Sequence, residues 1–387
     1  MTMVRWRVAG VALLALGVCP GLAVGQVINF GPMDGEKRPA CVVSRGADQS
    51  FYLVDLKHET TQKVGPRGRL VSATAEEAFS AGQTVSGDRD WVVTGDGKGG
   101  IFFAGGCSEF SAGGGGCSPL RHWKDTGRIS VREAEDRFSP WAVARGSTGI
   151  FASGQSTDNP DHTPRWQVRR WDEEGQAWRI VDALSGPLES EATAVHVAPD
   201  GSVFVAGVIE KKWIVRRSLD QGRTWKQVDA FQLVDGQHSV PCGVATAALG
   251  NLHVVGYAEV APDAPESVHL ADDSHWIVRS SRDGGEHFQT TENLTSPQKK
   301  GESRADAVTI LPNGDVVVIG TVGYPDRRQI RVLKAKAKRW VSVGSRYVAP
   351  PEHRYGVTSG ESGTFFSLGN NVRKENECWL EGHRVPR

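Results

Sequence analysis

The chain has 387 residues, 39% hydrophobic and 23% charged, which is enough to bury one large core or two ordinary ones and too apolar for a disordered or fibrous polypeptide. Lysine plus arginine and aspartate plus glutamate balance at 45 each, with no long basic block and no aromatic-interleaved cationic stripe. The electrostatic footprint of a nucleic-acid binder is therefore missing.

The N-terminus carries Arg5 and Arg7, then the apolar run V-A-L-L-A-L-G-V from Val11, then small residues ending before Gln26. This is the layout of a secretory signal, with an apolar centre too short to span a bilayer. Residues 1–25 are read as that signal and 26–387 as one exported domain, secreted or periplasmic, with no membrane span. Among the cysteines after it, Cys41, Cys107, Cys117, Cys242 and Cys378, none shows a CxxC spacing or a nearby histidine cluster. No metal site and no cofactor are expected. Cys107 and Cys117 bracket a glycine-rich segment that a disulfide would clip in an oxidising compartment.

A series of short β-forming runs ending in glycine follows: G-I-F-F-A-G at Gly105, G-I-F-A-S-G at Gly154, G-S-V-F-V-A-G at Gly207, G-N-L-H-V-V-G at Gly256, G-D-V-V-V-I-G at Gly320 and G-T-F-F-S-L-G at Gly369. Their spacings are 49, 53, 49, 64 and 49 residues, and a weaker copy surrounds Phe51 to Asp55. Within a copy, one β-forming run leads through a D-G or N-G turn into the glycine run, and two further runs complete the unit. Four antiparallel strands about every 50 residues describe a propeller blade. The expected fold is all-β, a single β-propeller of four-stranded antiparallel blades, seven in number with six as the alternative. Val27 to Phe30 is placed to add a strand to the last blade and close the ring.

Two stretches match closely: S-L-D-Q-G-R-T-W, with Ser218, Asp220, Gly222 and Trp225, and S-R-D-G-G-E-H-F, with Ser281, Asp283, Gly285 and Phe288. Both fall between the third and fourth runs of their units. A carboxylate two residues into such a turn accepts backbone N–H groups, the glycine takes a left-handed conformation, and the aromatic packs between sheets. These residues are therefore read as structural. Their turns share a face with the D-G turns, which leaves the longer second-to-third loops and the inter-blade links to carry binding on the other face.

On that other face, residues 155–165 offer Asp158, Asp161 and His162, and residues 257–275 offer a longer acidic run. Paired carboxylates suit acid–base work or a hard cation, and otherwise a solvated loop. Arg38, Arg89, Arg137, Arg304 and Arg354 precede the innermost strands, where several guanidinium groups would converge on a carboxylate ligand.

The S-x-D-x-G-x-T-W stretches resemble the Asp-box, or BNR, repeat of the sialidase superfamily. That resemblance implies a glycan-binding propeller related to glycoside hydrolases, with an arginine triad for which K37-R38-P39 is the nearest counterpart. It also implies a late tyrosine nucleophile, Tyr355 or Tyr347, and an early acid, Asp55. The alternative is a non-catalytic scaffold for peptides or proteins, as in other Asp-box propellers. Either ligand would sit on the face opposite the boxes, and a monomer is the expected state.

Overall fold

The computed structural model describes residues 138–385 apart from 159, 175–176, 185–189, 248–249, 261–272, 297–300, 324–326, 348–354, 360–362 and 372–376. Before residue 138 it describes only the backbones of strands. Strands form seven antiparallel sheets, here called blades 1 to 7. Blade 3 runs Phe138–Gly146, Gly149–Ser156, Arg165–Asp172 and Ala177–Ala183. Blade 4 runs Ser190–Val197, Val203–Ile209, Lys212–Ser218 and Lys226–Phe231. Blade 5 runs Ser239–Thr246, Leu252–Glu259, Ser274–Ser281 and Gln289–Leu294. Blade 6 runs Ser303–Ile310, Val316–Val322, Arg327–Lys334 and Arg339–Tyr347.

Blade 1 begins at Cys41–Arg45 and blade 2 at Trp91–Gly95. An additional strand, Gln83–Val85, pairs with the inner edge of blade 1. Blade 7 contains Tyr355–Ser359, Thr364–Asn371 and Glu377–Arg384, and its outer strand comes from the other end of the chain: Val27, Ile28 and Asn29 pair with Glu381, Leu380 and Trp379. This N-terminal strand covers an edge that would otherwise expose unpaired backbone groups. The first strands of blades 2 to 7 pack side by side around an axis, with Gln83–Val85 of blade 1 between those of blades 7 and 2, and the fold is a seven-bladed propeller.

The recurrent glycines have a packing cause. Opposite Gly154, Gly207, Gly256 and Gly320 the first strand carries a β-bulge, between Pro140 and Ala142, Ala192 and Ala194, Pro241 and Gly243, and Ala305 and Ala307. A Cβ at Gly207 would lie 2.0 Å from the Glu191 carbonyl oxygen and 2.4 Å from the Trp166 ring. One at Gly256 would lie 2.0 Å from the Val240 oxygen and 2.9 Å from the Trp213 ring, and Gly320 repeats this with Arg304 and Trp276. Each tryptophan opens the third strand of one blade and fills the glycine slot of the next. Trp166, Trp213 and Trp276 have no exposed surface. Truncating a side chain buried this way costs about 3–5 kcal/mol.

Third strands also supply a second connection between blades. Arg216 of blade 4 donates to Asp182 of blade 3 at 2.8 and 2.9 Å, and Arg331 of blade 6 donates to Glu292 of blade 5 at 2.7 Å. Trp166 Nε1 donates to the same Asp182 carboxylate at 2.9 Å, so plug and ion pair share one acid.

Candidate functional site

The two faces of the disc are defined by hydrogen bonds between their turns. On one, Gly284 N in a third-to-fourth turn donates to Gly250 O in a first-to-second turn at 3.0 Å. Ser218 Oγ accepts from Gly222 N at 2.8 Å, and Asp220 accepts from Thr224 N and Thr224 Oγ1 at 2.8 and 2.6 Å. Ser281, Asp283 and Gly285 repeat this, with His287 in the role of Thr224. The Thr224 hydroxyl and backbone N–H hold the Asp220 carboxyl down to about 2, and the His287 N–H and Ser281 hydroxyl hold Asp283 lower still. Gly222 and Gly285 have φ of 87° and 94°, a conformation that suits glycine. Trp225 Nε1 donates to Val181 O of the preceding blade at 3.0 Å, and Phe288 packs on the core of blades 4 and 5.

On the opposite face, second-to-third turns bond to inter-blade links: Ser239 N to Lys211 O at 2.8 Å, Glu259 N to His238 O at 2.8 Å and Gly323 N to Glu302 O at 2.9 Å. Asp158, Asp161 and His162 lie here and are exposed, but their loop is folded on itself. Asp161 accepts from Thr163 N at 3.2 Å and pairs with Arg165 at 2.7 Å, and His162, at φ 53°, lies 3.3 Å from Thr157 O. The Thr163 N–H and the Arg165 charge lower the Asp161 carboxyl. The structure thus brings these residues together as a self-bonded turn. Among the described residues no group of three or more histidine, cysteine, aspartate or glutamate side chains is placed to hold a metal ion.

Arg304 is the one arginine of the sequence series within the described residues. It stands on the first strand of blade 6, its side chain 16% exposed, between two carboxylates: Nε to Asp306 Oδ1 at 2.6 Å and Nη1 to Glu302 Oε1 at 3.0 Å. The guanidinium lies 5.8 Å from the centre of the Tyr257 ring of blade 5. Burial acts to lower the arginine's affinity for its proton, but the Asp306 and Glu302 charges outweigh it, so the group stays charged. Burial pushes the Tyr257 phenol above its usual value, aided by Cys242, Glu259 and Glu302 and opposed by Arg304. Cys242 and Asp306 occupy corresponding bulges, as do Trp141 and Thr193. Blades 3 and 6 of a seven-bladed ring are roughly 150° apart, so Trp141 stands across the axis from Arg304. The Trp141 indole N–H is buried with no protein partner among the described residues.

Sequence reasoning singled out Arg304 but missed Tyr257, Glu302 and Asp306. The signal was present as E302-S-R304-A-D306, since alternate residues of a strand share a face. Arg38, Arg89, Arg137, Arg354, Cys107 and Cys117 lie outside the described residues. Tyr355 and Asp55 are placed by backbone only, Tyr355 opening the first strand of blade 7 opposite Gly369 and Asp55 closing the second strand of blade 1 opposite Cys41.

No protein-family model matches the chain, and no curated protein matches it. Solved structures do. A streptogramin B lyase is 12% identical with a TM-score of 0.52, covering 93% of this chain and 98% of that one. Virginiamycin B lyase from Staphylococcus aureus is 10% identical with a TM-score of 0.52, covering 94% and 100%. A sialidase from Trypanosoma rangeli in complex with the inhibitor DANA is 13% identical with a TM-score of 0.48, covering 82% of this chain and 56% of that one. At such identities the two lyases establish a shared β-propeller fold and nothing about chemistry.

Proposed function

We propose that the chain is an exported Asp-box propeller that binds a glycan on the face of the second-to-third turns and does not cleave it. The observation that carries this reading is the cluster of Arg304, Glu302 and Tyr257 at the axial end of the blade 5 and blade 6 seam, on the face opposite the serine–aspartate turns. Planar polar groups that accept and donate hydrogen bonds, set beside the Tyr257 ring, suit a polyhydroxylated ligand with one apolar ring face. Binding without hydrolysis is supported by two features. The Tyr257 phenol is held protonated by its burial, which makes it a poor nucleophile. The two carboxylates Glu302 and Asp306 flank one guanidinium rather than facing each other across a water-filled cleft.

The test is a glycan array followed by titration calorimetry on purified protein, with reducing-end release measured in parallel. Binding that is lost in Tyr257→Ala, kept in Asp220→Ala and unaccompanied by sugar release is the expected result. Absence of any glycan ligand, or a ligand that only the Asp220→Ala variant loses, would refute it; retention of a peptide instead would favour a scaffold.

A further inference from the structure

We propose that Glu302 determines which sugars this site accepts, with Arg304 as its positioning residue, and that the site prefers uncharged or amine-bearing sugars to carboxylated ones. The inference rests on the glycan reading above and adds to it the charge of the ligand.

An arginine at a glycan site invites the opposite conclusion, because a free guanidinium fork grips a ligand carboxylate with two parallel hydrogen bonds. Arg304 is not free in that sense. Its Nε is taken by Asp306, at the bulge of the first strand, and its Nη1 by Glu302, on the link just before that strand. A ligand carboxylate would find the Nε edge already taken by Asp306 and would approach the remaining Nη hydrogens beside two acids that already balance the arginine's charge. The two acids differ in access: the Asp306 side chain is 2% exposed and lies behind the guanidinium, whereas the Glu302 side chain is 46% exposed. Glu302 is therefore the member of the trio that solvent and ligand reach, while Arg304 and Asp306 fix where it points.

The surrounding charges act in the same direction. Glu259 stands on the neighbouring second strand, where it accepts from His238 N at 3.3 Å, and Asp273 accepts from Gly301 N at 2.8 Å. Beside these four carboxylates stand the cation Arg304 and, on the adjoining link, His238. An approaching anion meets these carboxylates in a partly desolvated place, where screening is weakest. Sugar hydroxyls, by contrast, donate to the exposed Glu302 oxygens, and an ammonium group on the ligand pairs with them directly.

The experiment compares neutral, amine-bearing and carboxylated oligosaccharides on the full protein by calorimetry, using a neutral lacto-series tetrasaccharide, a chitosan tetramer and 3′-sialyllactose as probes. The neutral or the amine-bearing probe should bind the native protein at least about tenfold tighter than the sialylated one. Glu302→Gln, which keeps shape and one acceptor, should weaken the neutral and amine-bearing probes and narrow the discrimination against sialyllactose to less than about threefold. Arg304→Met, which frees Glu302 to move, should weaken all three probes without changing their order. A buried-acid variant at Asp306 risks misfolding, so the exposed Glu302 carries the test. Sialyllactose as the tightest ligand, or an unchanged charge preference in Glu302→Gln, would overturn the inference while leaving the glycan reading intact. Failure of all three classes to bind would overturn both.

Discussion

Arg279 of blade 5 grips Asp229 of blade 4 with two parallel hydrogen bonds, Nε at 2.7 Å and Nη2 at 2.6 Å, and lies over the Phe231 ring at 4.5 Å. Both side chains are nearly buried, at 10% and 6% exposure. Asp229→Ala leaves a buried guanidinium uncompensated and should cost about 3–5 kcal/mol in urea denaturation, whereas replacing both partners by Leu and Met should come within about 1 kcal/mol of the native protein. A loss below about 1 kcal/mol in the single variant would show that the pair is not a seam-holding contact.

Gly256 tests the slot that receives Trp213. An added methyl would meet the Val240 carbonyl oxygen at 2.0 Å and the indole at 2.9 Å, and the backbone there is fixed by the bulge. Gly256→Ala should destabilise by roughly 2–3 kcal/mol through overpacking. Gly236→Ala, on a link with nothing within 4 Å but φ of 79°, should lose only about 1 kcal/mol through backbone strain. Equal losses would reject the packing explanation.

Two histidines, His253 buried and His196 half-buried, set an acid limit. Burial lowers both His196, 2.8 Å from Thr246 Oγ1, and His253, 2.9 Å from Ser280 Oγ, to about 4. The unfolded chain binds protons at these sites from near pH 6.5 downward and the folded chain does not, so their stability is complete above about pH 6.5 and is lost toward pH 4. The loss is about 3 kcal/mol for each. His253→Gln should flatten half of this slope in denaturation midpoints measured between pH 4 and 7. A midpoint that stays constant across that window would contradict the assignment.

The turn carboxylates act in a separate window. Asp220 and Asp283 have lowered values, so their contribution is complete above about pH 4; that of Asp220 disappears as pH falls through about 2, and that of Asp283 lower still. Asp220→Ala should lower the thermal midpoint at pH 7 and leave glycan binding unaltered. An altered affinity would place Asp220 in the ligand site instead.

The blade count, the turn residues and the closing strand at Val27 were legible because each depends on local chemistry: β-forming runs, D-G turns, serine–aspartate spacing and one unpaired edge. The function of W-I-V-R was not. Those four residues read as an ordinary strand, yet Trp213 fills a slot in blade 5 and Arg216 pairs back to blade 3. Their partners lie 43 and 34 positions away and are fixed only by the rotation between blades. The site at Arg304 was half legible for the same reason: its strand neighbours Glu302 and Asp306 follow from alternation, whereas Tyr257 arrives from another blade.

Between blades 3 and 6 the tryptophans that open the third strands reach forward to the next sheet, Arg216, Arg279 and Arg331 reach back to the one before, and the Val27–Asn29 strand turns the row into a circle. A hoop cut once is still a strip in which every segment keeps at least one covered flank. Cut at a second place, it falls into two arcs. Damage at a single joint is therefore tolerated by the whole, and two distant joints that share no atoms are nevertheless tied together by the closure of the circle.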